Sequence, residues 1–162
     1  MMDFEKRLKK AISRGRRTAS ARAEAEAEKA LSEQELRRLH GQYRIQLTER
    51  IEHCLRKLPQ HFPGFDLKPV VSERGWGAAV SRDDVNIRPR QGRTNQFSRL
   101  EMVVHPVSEA FVLDLTAKAT IRNKELFNRT HYQALDEVDL HAFTELIDLW
   151  VLEYAEVYAA KD

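Results

Sequence analysis

The chain has 162 residues, 42% hydrophobic and 32% charged, with 27 lysines and arginines against 25 aspartates and glutamates. Few glycines and prolines, a single cysteine and ample Leu, Ile, Val and Phe exclude collagen-like, disulfide-scaffold and wholly disordered classes. No apolar run reaches the ~20 residues of a membrane span, and the length suits one domain with an appendage.

Charge is unevenly spread. Residues 1–60 hold 15 basic and 9 acidic side chains, a net of +6, whereas residues 61–162 carry a net of −4. The N-terminal block contains Lys6, Arg7, Lys9, Lys10, Arg14, Arg16, Arg17 and Arg22 against Asp3 and Glu5. Such asymmetry suits a nucleic-acid-binding arm or an arm that meets an acidic surface. The acids of the C-terminal segment, Glu145, Asp148, Glu153 and Glu156, are the expected partners, within one chain or across a dimer. Met1 to Lys10 lacks the apolar stretch of a secretory signal, and Cys54 has no second cysteine to pair with. Both lead to the expectation of a reducing, cytoplasmic setting.

In chain order, residues 3–30 read as helix, because Ala, Glu, Lys and Arg dominate and all favour it. Apolar side chains are thin there: Phe4, Leu8, Ala11 and Ile12, then only alanines from Ala19 to Ala30. Ser32 and Glu35 form a capping box, with Leu31 and Leu36 as a hydrophobic staple, which predicts a helix start at Ser32, where the chain either kinks or continues from the first helix. The expected division is therefore a basic, Ala-rich helical arm over residues 1–31 and one α+β domain over residues 32–162. From Leu36 the apolar positions Leu39, Tyr43, Leu47, Ile51, Leu55 and Leu58 mark a long amphipathic helix, which Pro59 stops.

The period then changes to two. Residues 65–71 predict a strand, with Pro69 at an edge or bulge. Gly75 to Ser81 predicts a second, which Val85 and Ile87 either continue after a turn at Asp83-Asp84 or follow as a short strand of their own, and a polar loop runs from Arg88 to Gln96. Leu100, Met102 and Val104 alternate with Arg99, Glu101, Val103 and His105. Leu113, Leu115 and Ala117 alternate with Asp114, Thr116 and Lys118, as in a sheet with one face covered and one wet. The short connections predict an antiparallel meander of about four strands. Asp136 or Asp139 should cap a last helix, whose stripe Leu140, Phe143, Ile147, Trp150, Val151, Tyr154 and Tyr158 packs on the sheet. The fold class is α+β.

No phosphate-binding loop, nucleophile elbow, zinc-protease or dinucleotide fingerprint is present, so neither a cofactor nor a metal is expected. The six histidines show no helical ligand spacing. Cys54 lies on the apolar stripe and reads as packing. Two clusters stand out as ligand candidates. The segment from Arg122 to His131 reads as a loop whose Arg122, Lys124, Arg129 and His131 could hold an anion. Arg74 and Trp76, with Gly75 and Gly77 around the tryptophan, form the other; flanking glycines permit close backbone approach.

Three readings follow. The favoured one is a non-catalytic interaction or assembly module, expected to homodimerise, because the first 30 residues have no core of their own. The second is nucleic-acid binding through the basic residues 6–22. The third is a small-ligand or anion binder, or an enzyme, using the Arg122–His131 loop. No membrane association is expected.

Overall fold

The computed structural model describes residues 3–88 and 92–161. The described chain forms two compact units, one up to Arg38 and one from Leu39 onward.

Helix α1 runs unbroken over Phe4–Leu55. In the first unit every residue from Asp3 to Ser32 is exposed, including Phe4 at 72% and Leu31 at 66%. The predicted helix start at Ser32 is therefore corrected: Ser32 is an exposed mid-helix residue. The capping box competes with strong helix formers on both sides, and neither proline nor glycine sits nearby to free its backbone N–H groups.

In the second unit α1 buries His40, Leu47, Ile51 and Leu55, one stripe at helical spacing. It ends four residues before Pro59, whose ring would clash with the Leu55 carbonyl in a continuing helix. A single turn, α2 (Leu58–His61), takes the proline in its first turn.

Five strands follow: β1 (Asp66–Ser72), β2 (Gly75–Arg88), β3 (Gly92–Val104), β4 (Val112–Ile121) and β5 (Lys124–Ala134). They pair antiparallel in sequence order, a meander with one more strand than expected. Pro69 sits on edge strand β1. The covered face carries Ala78, Val80, Leu100, Met102, Val104, Leu113, Leu115 and Ala117, all completely buried. Register puts them side by side, Val80 against Leu100 and Met102 against Ala117.

Two expected turns are strand instead. Asp83 and Asp84 pair with Phe97 and Gln96 inside the β2–β3 ladder, so no turn occurs there. Arg88 and residues 92–96 also belong to that ladder, and residues 89–91 of the expected loop lie outside the described residues. This ribbon runs past the ends of β1 and β4, which pair no further than Ser81 and Arg99. Beyond the neighbouring strands a two-stranded ribbon tolerates polar residues, and these mimic a loop in sequence.

Helix α3 (Leu140–Lys161) is capped by Asp139, whose Oδ1 accepts the Ala142 N–H at 3.3 Å. It buries Phe143, Ile147, Trp150, Val151, Tyr154 and Tyr158. The Tyr154 hydroxyl donates to the Thr120 carbonyl at 2.9 Å, tying α3 to the sheet. Phe62, Phe65, Tyr154 and Tyr158 close one end of the core edge to face, with Phe62 and Tyr158 centroids 4.9 Å apart. Among the described residues no helix is long and apolar enough to cross a membrane.

Candidate functional site

The segment expected to be a loop from Arg122 to His131 is a hairpin turn plus a strand. Arg122 and Asn123 have φ of 47° and 71°, the two left-handed positions of a tight hairpin, and β5 begins at Lys124. The turn is pinned from the side. Asn123 N–H donates to the Phe97 carbonyl at 2.8 Å, Asn123 Oδ1 accepts the Phe97 N–H at 2.9 Å, and Asn123 Nδ2 donates to Asn95. An Asn-Gly pair would have announced such a turn; Arg-Asn does not.

The four candidate residues therefore do not converge. Lys124 and His131 are seven residues apart on one extended strand, about 23 Å. The Arg122 guanidinium donates to the Lys161 carbonyl at the end of α3. Arg129 donates both arms of its fork to Glu153, and its guanidinium carbon lies 4.4 Å from the Phe127 ring centroid. The His131 ring meets Phe143 edge to face at 4.8 Å. Arg122, Arg129 and His131 each fasten the sheet to α3, while Lys124 is exposed at the hairpin end.

Arg74 and Trp76 lie on opposite faces. Trp76 is on the covered face, where the Arg44 guanidinium of α1 stacks 4.3 Å above its ring centroid. Arg74 is in the β1–β2 turn and lines a shallow hollow of about 270 Å³ on the open face. Glu101, His105, Lys118, Asn128 and Thr130 share that hollow. Its polar groups already engage one another: Arg99 bonds Glu101 at 2.5 Å and His105 meets the Thr116 hydroxyl at 3.0 Å. Glu101 stands among Arg74, His105 and Lys118, so the hollow carries mixed charge.

The flanking glycines are explained by the strand pairing. A Cβ at Gly77 would fall 1.9 Å from the Met102 carbonyl oxygen, and one at Gly75, where φ is +140°, 2.2 Å from that of Val104. The glycines let β2 lie against β3.

A second hollow, about 470 Å³, lies between the C-terminal part of α1, α2 and α3 and includes Cys54, Leu58, Phe62 and Leu152. Sequence reading did not single it out, since its walls come from elements some 90 residues apart. Cys54 donates to Asp148 Oδ1 at 3.2 Å. Burial, then the Asp148 carboxylate, pushes its pKa up to about 11, so the sulfur stays a thiol near neutral pH. Among the described residues no three or more His, Cys, Asp or Glu side chains are grouped to hold a metal ion.

The remaining candidate is the N-terminal helix. All eight cations from Lys6 to Arg22 are exposed, and no ion pair among the described residues reaches them. Two of the acids expected to meet them are engaged elsewhere: Asp148 with Arg50 and Glu153 with Arg129. Lys6, Arg7, Lys9 and Lys10 occupy the first two turns, the end of a helix that prefers negative charge. Lys6, Lys10 and Arg14 repeat at four-residue spacing, so neighbouring turns repel. Comparisons with protein-family models, curated proteins and solved structures find no match to this chain.

Proposed function

We propose that the chain is a non-catalytic interaction module that assembles with a second copy of itself through its N-terminal helix. The observation that carries this reading is the exposure of every residue from Asp3 to Ser32, with Phe4, Leu8, Ile12 and Leu31 at 40–72%. A helix of that length with a poor charge arrangement gains most of its stability from packing against something. The dispersal of Arg122, Arg129 and His131 into separate structural contacts supports an interaction role over a small-anion site. A lone, half-buried cysteine suits a reducing compartment.

Sedimentation equilibrium of the full chain over a concentration series tests the reading. A reversible dimer is expected, and Leu8→Glu with Ile12→Glu should weaken it. A monomer at every concentration would overturn it.

The cations of residues 6–22, which no ion pair among the described residues reaches, favour one alternative, a nucleic-acid partner. Binding of a mixed-sequence oligonucleotide that weakens steeply between 50 and 200 mM salt would support that alternative. The absence of any aromatic side chain between Phe4 and Tyr43 removes base stacking from it.

A further inference from the structure

The charges of the N-terminal helix are segregated in a way that matches a reversed copy of itself. Two rows of residues repeat every seven positions: Glu5, Ile12, Ala19, Glu26 and Glu33 in one, Lys9, Arg16, Ala23, Ala30 and Arg37 in the other. All belong to the unbroken helix Phe4–Leu55 and to the compact unit ending at Arg38. The rows are offset by four and three residues, so on a helix they run side by side as a single seam. Within the chain no ion pair among the described residues reaches Glu5, Lys9, Arg16 or Glu26.

Resting on the assembly reading above, we infer that two copies of this helix pair antiparallel along that seam, with the two-fold axis at Ala21. The reversal lays one row of each copy against the other row of its partner. Glu5 then faces Arg37, Lys9 faces Glu33, and Arg16 faces Glu26. Ile12 faces Ala30, and Ala19 faces Ala23. Every charged residue of the seam meets its opposite, and small side chains fill the centre, where the helix axes approach. A parallel pair would set Arg16 on Arg16 and Glu26 on Glu26, and like charges opposed are repelled. The arrangement also answers the dipole problem of the first turns, since the basic end of one helix lies along acidic residues of the other. The seven-residue repeat winds the pair left-handed. Because so much of the seam is ionic and solvated, association weakens as salt rises.

A charge-swap series on the full-length protein tests the seam. The first variant is Lys9→Glu with Arg16→Glu, the second Glu26→Arg with Glu33→Arg, and the third combines all four. Dissociation constants are measured by sedimentation equilibrium at low salt, with circular dichroism confirming helix content. Each two-residue variant is expected to self-associate about tenfold more weakly or worse than the wild type. An equimolar mixture of the two, and the four-residue variant alone, should return to within about threefold of it. Two-residue variants that dimerise like the wild type would overturn the seam and leave assembly through another surface standing. Loss without recovery in the four-residue variant would also overturn it. A wild-type chain that never dimerises removes both this inference and the reading it rests on.

Discussion

Arg50 of α1 clamps Asp148 of α3 across 98 residues of sequence, with Nε donating to Oδ1 at 2.8 Å and Nη2 to Oδ2 at 2.6 Å. The two-pronged contact ties α1 to α3 with a defined orientation of the two side chains. Arg50 holds the Asp148 carboxyl below the usual carboxylate range, and the Cys54 thiol adds a smaller push the same way. A carboxylate with a depressed native pKa stabilises the fold above its unfolded value of about 4 and loses that contribution as pH falls through the native value. Both side chains keep about a third of their exposure, so solvent screens the pair. Asp148→Asn should therefore cost about 1 kcal/mol at pH 7. The gap between variant and wild type should narrow as pH falls below the unfolded value of about 4, which urea midpoints at pH 7 and in acid check.

His40 gives a pH dependence in another window. It is 4% exposed, and its Nε2–H donates to the His105 carbonyl oxygen at 3.0 Å, joining α1 to the end of β3. Burial lowers its pKa, against the partial pull of that hydrogen bond. The unfolded chain binds a proton at this position near pH 6.5 and the native state binds it at lower pH. Stability is thus full above about pH 7 and drops as pH falls from there towards the native pKa. His40→Gln keeps a donor and removes the titration. It should cost about 1–2 kcal/mol at pH 8 and less at pH 5, read from thermal or urea midpoints.

Gly77 and Gly41 should respond oppositely to alanine. At Gly77 the new Cβ meets the Met102 carbonyl at 1.9 Å, backbone that can yield only by breaking the β2–β3 ladder. Gly77→Ala should destabilise by about 3 kcal/mol or more, or prevent folding. At Gly41, inside α1, a new Cβ would meet nothing within 4 Å beyond its chain neighbours and the backbone of its own helix. Gly41→Ala should stabilise by about 0.5–1 kcal/mol through helix propensity. Denaturant midpoints of the two variants against wild type are sufficient.

Ser32 reports on the continuity of α1. As an exposed mid-helix residue it should gain a few tenths of a kcal/mol on replacement by alanine, whereas loss of a true cap would cost about 0.5–2 kcal/mol. Ser32→Pro should break the helix and lower the ellipticity at 222 nm. The sign of the Ser32→Ala change, read from helix melting by circular dichroism, checks the single-helix description.

Period decided what could be read in advance. The alternation of Leu100, Met102 and Val104 with Arg99 and Glu101, and the stripe from Phe143 to Tyr158, both appear as written, because burial on one face leaves a regular trace in the chain; Val103, on the other face, departs from it and is buried. Asp139 as a cap and Pro69 as an edge residue follow from backbone chemistry that is local to them. Turns read less well. Asp83-Asp84 carries turn residues but continues a ribbon, and Arg122-Asn123 makes a tight turn without the usual glycine.

The amino-acid sequence by itself determined the α+β class, the long helices and the first four strands in their order, the covered face of the sheet and the charge blocks of the first helix, most of which rest on spacings of two, three or four residues, whereas β5 read as a loop. Only the tertiary structure decided which polar groups meet. Arg129 goes to Glu153, Arg122 to the Lys161 carbonyl, Arg50 to Asp148, and Trp76 turns to Arg44 while Arg74 faces the other side of the sheet. These partners are 24 to 98 residues apart, and register and helix docking set their distances. An arginine carries the same charge wherever it stands, so its chemistry names a class of partner, and the fold selects the member.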